Sequence, residues 1–518
     1  MADNHIFLGF DCSTQSFRVI ATDISGNALY TDKVVFSTDL PNYITDNGIH
    51  KNEDIITSPV TMWVEAFELL LLKMEDKKFP FKNVRAISGS AQQHACVFWH
   101  KLEILKNLSV STTLTERITD ILLIKNAAIW MDSSTKKQCC QFETALGGAQ
   151  KVAEITGSRA YERFSGMQIK KIYQETPSVY KNTERISLLS SFFTSILIQD
   201  YADIDYSDAA GMNLMDIKTK DWSTECLDNV APNLATKLGN IKPSHEVAGK
   251  IGSYFVERYG FDKETCVIYW SGDNPNSLAG LQTDNIAINL GTSDTVFGIT
   301  DNPQPNTFSH IFPNPIDPTS YMVMLCFKNG ALTRESIKQN VPWTTFDFIL
   351  SQTCPGNEGN IGFYFNFEEI TPLTLIGHYE FDINNKETVF DIKTRFRALI
   401  EGQFLTMSLF SDELKFKSNR IVVSGGGSTN TEFLELISSI FNSSVSSLQN
   451  YESSLIGAAY RAAHGYLCFK NGKFIDFNSM FNPEYDKTYL PNLSETPIYT
   501  IMKNRIKTLH PGLRHNNY

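Results

Sequence analysis

Two places where this chain doubles back on itself stand out in its pattern of apolar and polar positions. At the N-terminus, FLGFDCSTQSFRVIATD runs from an apolar strand through a short Ser/Thr turn into a second apolar strand, and the design returns at IAINLGTSDTVFGIT. Each reads as a tight β-hairpin whose turn amides can face an anion. Strands are predicted over 5–11, 16–23 and 28–36, the last two joined across Ser25-Gly26-Asn27. From Thr57, TSPVTMWVEAFELLLLKMED opens with capping residues and an early proline, then spaces apolar residues three and four apart, which predicts a helix lying on the sheet. Residues 84–90 read as a buried strand, 187–201 as a buried or amphipathic helix, and 205–217 as a loop followed by a strand. The Pro- and Asn-rich stretch 301–319 reads as an extended loop, and 340–385 is irregular and aromatic. Further on, RIVVSGGGSTNTEFLELISSIF gives a strand over 420–423, a glycine loop and a helix from near Thr429. A last helix, over 452–465, carries small residues on one face.

Length and charge narrow the organisation. A chain of 518 residues is too long for one core, so two α/β domains are expected, one beginning at each hairpin: 1–281 and 282–518. A net charge of −11 argues against a nucleic-acid or anionic-membrane surface, since both attract basic patches. Recognition of phosphate must then be local, through backbone amides, helix ends and a metal ion. The nine cysteines are irregularly spaced, without zinc-ligand spacing, which predicts free thiols in a reducing compartment. The first ten residues lack the basic flank of a signal peptide, and the longest apolar stretch, 186–199, is too short to span a bilayer, so a soluble cytoplasmic protein is expected.

The candidate chemistry gathers at strand ends. Asp273 follows the apolar run CVIYW and a Ser-Gly pair, so it should emerge from a buried strand into a turn, where a carboxylate ionised at neutral pH can accept a proton from a bound hydroxyl. Asp11 ends the first strand beside Ser13 and Thr14, a position suited to holding hydrated magnesium near the tail of a nucleotide. Gln92, Gln93 and His94 cluster just past the strand over 84–90, where ligands of open α/β sheets gather, and are candidates for holding a polyol. Asp132 in WMDSST suits either that chemistry or a helix cap. Arg159 and Arg163 lie among aromatics in TGSRAYERFSG, and each suits a sugar contact or a pairing with a carboxylate. The glycines of SGGGSTN, between a strand and a helix, let backbone approach a phosphate closely without forming a Walker or dinucleotide motif.

The ordered phrases FDCSTQ, SGSAQQH, SGDNPNSLAG, LGTSDT, RALIEGQF, SGGGSTN and LIGAAYRA, spread over nearly the whole chain, resemble those of the FGGY carbohydrate kinases of the actin-like ATPase superfamily. Within that family, WMDSST, TGSRAYERFSG, DYSDAAGMNLMDI and CFKNG are similar to the branch acting on the ketopentose D-xylulose. The resemblance implies two ribonuclease H-like domains, each a mixed five-stranded sheet flanked by helices, closing over a cleft for ATP and sugar. It implies Asp273 as catalytic base; His94, Arg163, Asp273 and Asn274 on the sugar; and Gly426, Gly427 and Asn430 on the adenosine side. It further implies Gly291 and Thr292 in the second phosphate hairpin, and Asp11 with Thr14 in the first, Asp11 holding Mg2+ through water. Trp343 is a candidate adenine platform that matches no strong motif. Tyr173 in KIYQ stands where many members carry Trp, and no role is carried onto it. ATP, Mg2+ and D-xylulose are the implied small molecules, with a monomer or homodimer as the assembly. Kinases for ribulose, gluconate or glycerol share the scaffold, as do ATP-driven clamps that phosphorylate nothing. The QQH and GDN pair favours a kinase, because a clamp has no use for a polar acceptor site.

Overall fold

Both hairpins form, and each seeds a sheet. The computed structural model describes residues 5–281, 286–416, 420–448, 453–481 and 485–514. In the first half, β1 (Ile6–Cys12), β2 (Ser16–Thr22) and β3 (Ala28–Val35) run antiparallel. Helix α1 (Val60–Asp76) crosses over to β4 (Val84–Ala91), which lies parallel to β1 on the side away from β2. Two helices that matter for the site follow: α2 (Leu189–Ile198) and the short α3 (Tyr206–Ala210). The sheet is completed by the edge strand β5 (Val247–Lys250), then β6 (Cys266–Ile268) parallel to β4, and β7 (Ser271–Gly272), which extends alongside the end of β4.

After α4 (Asp273–Leu281) the second half repeats the plan. Its strands are β8 (Ile286–Leu290), β9 (Asp294–Thr300), β10 (His310–Pro313), β11 (Tyr321–Phe327), β12 (Arg420–Ser424), β13 (Ser444–Leu448) and β14 (Tyr485–Tyr489). The order β11-β9-β8-β12-β13 reproduces β3-β2-β1-β4-β6: a hairpin with a third antiparallel strand on one side, and two parallel strands on the other. The five expected strands are thus present twice, and short additional strands bring each sheet to seven.

β1 is buried along its whole length because helices cover both faces of its sheet. Phe10 and Phe17 pack on Phe67 of α1. The second half contributes α5 (Trp343–Ser351), α6 (Ile392–Glu413), α7 (Thr431–Phe441) and α8 (Ser453–Asn471), and the last of these covers the opposite face. It is α8 that seats on β1, and a Cβ on Gly9 would meet its backbone at Leu455 and Ala459. A Cβ on Gly457 would likewise meet the backbone of Asn276 in α4. The small-residue face anticipated over 452–465 therefore serves close helix packing.

Consequently the division at 281/282 does not divide the cores. Ala462, Ala463, Phe477 and Phe481 share a cluster with Phe7, Ala86, Ile268 and Ala279 of the first half. The polar interruption 282–285 lies outside the described residues.

Local expectations shift where tertiary pairing wins. Thr57 and its neighbours extend a strand, Ile55–Pro59, paired with Asn126–Ala128, so α1 begins at Val60. The segment 205–217 opens with α3, capped by the Asp205 side chain. The expected loop over 301–319 contains β10, which pairs with β11. Among the described residues no helix is long and apolar enough to cross a membrane.

Candidate active site

The register of three neighbouring strands brings two carboxylates to the end of β4. β4 pairs on one side with β1, Asp11 opposite Ser90 and Cys12 opposite Ala91, and on the other with β7, Ser271 opposite Ser90 and Gly272 opposite Ala91. Asp273 is the next residue, the first of α4, so it leaves the strand end as its sequence position predicts. The Asn274 backbone N–H and side-chain Nδ2 both donate to Asp273 Oδ1, at 2.9 and 3.1 Å, which fixes the carboxyl plane. Burial, and then the charge on Asp11, push the Asp273 carboxyl up to about 7. An ordinary, fully ionised carboxylate is therefore corrected to one divided between both forms at neutral pH.

Behind Asp273 stands a buried polar network. Asn274 Nδ2 donates to Gln93 Oε1 (2.9 Å), and Gln93 Nε2 donates to Asp208 Oδ1 (3.3 Å). Gln93 thus braces Asn274 rather than offering both ends to a sugar. Ser190 Oγ of α2 donates to Asp208 Oδ2 at 2.5 Å, and burial followed by the neighbouring Asp205 raises Asp208 to about 7. Asp205 accepts from Ser244 and, at 2.9 Å, from Ser271 Oγ. Arg461 of α8 lies 4.0 Å from Asp205 and donates to Asn276 Oδ1 (2.9 Å) and to the carbonyls of Ser244 and Tyr269 (2.7 and 2.9 Å). A fully buried arginine from the C-terminal half thereby anchors the floor of the site in the N-terminal half.

His94 and Arg163, far apart in sequence, both lie against the ring of Phe164. His94 has φ +74°, and its Nδ1 lies 3.0 Å from the Gly211 carbonyl oxygen. A carbonyl only accepts, so Nδ1 carries the proton and Nε2 is left as an acceptor. Burial, then Arg163, lower the His94 pKa to about 3, which keeps the ring neutral. Arg163 Nη2 donates to His310 Nε2 at 3.2 Å, so His310 carries its proton on Nδ1 and donates it to Ser158 Oγ at 2.7 Å. The guanidinium also lies over Tyr161 and Phe164, 5.2 and 5.6 Å from the ring centroids. His310 comes from β10 of the second sheet; the Pro/Asn-rich stretch around it gave no periodic signal by which to find it.

The neighbouring candidates settle into structural roles. Arg159 makes a two-pronged contact with Glu143, at 3.2 and 3.1 Å. Asp132 is buried, accepting from Ser134, from Gln168 Nε2 (2.8 Å) and from the Ile56 backbone (3.0 Å). Tyr173 stacks edge-on against Tyr180 and is partly exposed.

In the second half, Gly426–Thr429 forms a 3-10 turn between β12 and α7. The loop packs on the second hairpin, since a Cβ on Gly427 would lie 2.8 Å from Leu290 Cβ, whereas one on Gly426 would meet nothing within 4 Å. Gly291 and the exposed Thr292 belong to the three-residue turn between Leu290 and Asp294. Asn430 is engaged at both ends: Oδ1 caps α7 at Phe433 (3.2 Å), and Nδ2 donates to Asp347 of α5 (2.8 Å). Trp343 begins α5, its ring edge-on to Phe346 and Phe433 and its Nε1 donating to Glu335 at 2.7 Å. Glycine loop, hairpin and Trp343 are therefore neighbours.

At the first hairpin, Asp11 Oδ2 accepts from Ser13 and lies 3.6 Å from Arg18, and Thr14 Oγ1 accepts from Trp130 Nε1 at 3.0 Å. Asp11 Oδ1 is buried without a hydrogen-bond partner, which suits a water bound to a cation. Among the described residues no group of three or more His, Cys, Asp or Glu could hold a metal, so a cation here would draw its remaining ligands from water and phosphate, as Mg2+ commonly does.

Comparison with known proteins identifies the family. Residues 6–280 match the N-terminal domain, and 286–466 the C-terminal domain, of the FGGY family of carbohydrate kinases. The chain is 46% identical to xylulose kinase 2 of Arabidopsis thaliana, covering 94% of this chain and 91% of that protein. It is 43% identical to the xylulose kinase of Mus musculus, covering 97% and 93% respectively. Its fold matches the crystal structure of gluconate kinase from Lactobacillus acidophilus with a TM-score of 0.81 at 20% identity, covering 99% of each chain. A shared fold does not select the acceptor.

Proposed function

Because this chain belongs to the FGGY family of carbohydrate kinases, we propose that it transfers the γ-phosphoryl group of ATP to the terminal hydroxyl of D-xylulose, giving D-xylulose 5-phosphate and ADP. The choice of acceptor is supported by the xylulose kinases to which the chain is 46% and 43% identical over nearly their full lengths. The observation that carries the mechanism is the position of Asp273, between the Asn274–Gln93 brace on the sugar side and Asp11 on the phosphate side.

In this reading Asn274 holds Asp273 Oδ1 and leaves Oδ2 to accept the proton of the attacking hydroxyl. The sugar oxygen forms a bond to the γ-phosphorus, the bond to the β,γ-bridging oxygen breaks, and ADP leaves with that electron pair. Neutral His94 offers Nε2 as a fixed acceptor, and Arg163, locked by His310 and two aromatic rings, offers directed donors to the remaining hydroxyls. The hairpin turns at Ser13-Thr14 and Gly291-Thr292 and the open backbone at Gly426 face the nucleotide, with Trp343 beside the adenine. Mg2+, held through water at Asp11, would neutralise charge on the phosphates when bound. All nine cysteines lack a disulfide partner, which supports a cytosolic location.

A coupled ADP-release assay with Mg-ATP across D-xylulose, ribulose, gluconate and glycerol tests the proposal. Turnover should be highest with D-xylulose. Equal or greater turnover of another acceptor would transfer the function to that substrate.

A further inference from the structure

Gln92 is the member of the Gln92–His94 cluster that the sugar side does not use. Its backbone N–H donates to the Cys12 carbonyl at 2.9 Å, extending the β1–β4 ladder one residue beyond the Cys12–Ala91 pair. Its side chain is 2% exposed, yet neither Oε1 nor Nε2 has a hydrogen-bond partner. Next to it in sequence, Gln93 has both ends engaged.

Two neighbours share the condition of Gln92. Ser90 pairs with Asp11 on one side and Ser271 on the other. Paired residues of a parallel ladder place their side chains on one face, as do residues two apart along a strand. Asp11, Ser90 and Gln92 therefore line a single strip, flanked at its far side by Asp273, one residue past the Gly272–Ala91 pair. Asp11 Oδ1 and Ser90 Oγ are also buried and unpartnered. Buried polar groups without partners are rare because each costs stability, and three side chains with unpaired buried atoms in one strip beside Asp273 point to a ligand.

Resting on the phosphoryl transfer proposed above, we propose that Gln92 is a catalytic residue that grips the phosphoryl group in flight. Its Nε2 donates to a non-bridging oxygen of the group as it passes from the nucleotide side at Asp11 to the acceptor oxygen at Asp273. Its Oε1 accepts from water in the layer that Asp11 Oδ1 and Ser90 Oγ also hold. The bond changes are those of the transfer itself, with the proton going to Asp273; Gln92 gains and loses none. A neutral donor suits this place, since a third carboxylate beside Asp11 and Asp273 would repel the phosphates.

The test compares the parent with Gln92→Leu, of similar size and no polar atoms, after the parent has been shown to phosphorylate D-xylulose; a parent that fails refutes the functional reading and not the role of Gln92. In Gln92→Leu the melting temperature should hold or rise, and the sugar-induced shift in melting temperature should stay as in the parent. KM for D-xylulose should remain within about threefold while kcat falls about a hundredfold or more. ADP with aluminium fluoride and D-xylulose, a mimic of the phosphoryl group in flight, should stabilise the parent and not the variant. Turnover within threefold of the parent overturns the proposal, as does a raised KM with unchanged kcat, which would place Gln92 on the sugar. Gln92→Met is the second variant, judged by the same measurements. A lowered melting temperature in both variants overturns the proposal too, since the amide would then be holding the fold.

Discussion

Asp11 and Asp273 stand on either side of the same strand, and the charge on Asp11 is, after burial, what lifts the Asp273 carboxyl to about 7. A carboxyl in the unfolded chain ionises near 4, so at higher pH the unfolded state gives up a proton that the folded site keeps. The stability contributed by Asp273 is complete below about pH 4 and is lost as pH rises through about 7. Asp273→Asn removes that penalty. The melting temperature of the variant should match the parent near pH 4, exceed it increasingly up to about pH 7 and hold a constant lead above pH 8. Scanning calorimetry across this range checks it, and a difference independent of pH would separate the two carboxylates.

His310 reaches from the second sheet to Arg163, which the reading above places on the sugar. His310→Ala frees the guanidinium and leaves Ser158 without its donor. KM for D-xylulose should rise about tenfold, the scale of one lost hydrogen bond to a charged group, with ATP affinity unchanged. Isothermal titration with each substrate distinguishes this from a general loosening, in which both affinities would fall.

The glycine loop offers two substitutions that separate folding from binding. Gly427→Val drives its side chain into Leu290 and should destabilise the protein itself by about 1–3 kcal/mol. Gly426→Val meets no protein atom, so the fold should tolerate it, yet the branched side chain would occupy the space through which ATP approaches the backbone. Its unliganded melting temperature should match the parent, and the upward shift on adding ATP should disappear. A full ATP shift would remove the loop from the nucleotide site.

Much of this arrangement was legible in the sequence, and what was hidden has a common cause. The hairpins at Asp11 and Gly291 declare themselves by paired apolar runs joined across a short Ser/Thr turn, and Asp273 by its place after a buried strand, because those signals are local. Arg159 and Arg163 looked alike, since the partners that separate them, Glu143 and His310, are 16 and 147 residues away. Asp205 and Arg461, 256 positions apart, were invisible as a pair for the same reason. The boundary at 281/282 followed the repeat of the strands, but the fold sends α8 back across it, and the small-residue face over 452–465 was the sign of so close a contact. Gln92 and Gln93 read as one cluster, although Gln93 bonds Asn274 and Asp208 while the Gln92 amide bonds neither.

The central claim is that Asp273 takes the proton of the sugar hydroxyl. Asp273→Asn tests it most directly, because the amide keeps the size of the carboxylate and an oxygen for the Asn274 bonds, while losing the oxygen that accepts the proton. With saturating D-xylulose and Mg-ATP, single-turnover phosphoryl transfer should slow by about a hundredfold to ten-thousandfold while both dissociation constants stay within about threefold. A correctly folded variant with near-parental single-turnover rates would contradict the account, because the site would then be transferring phosphate without its base.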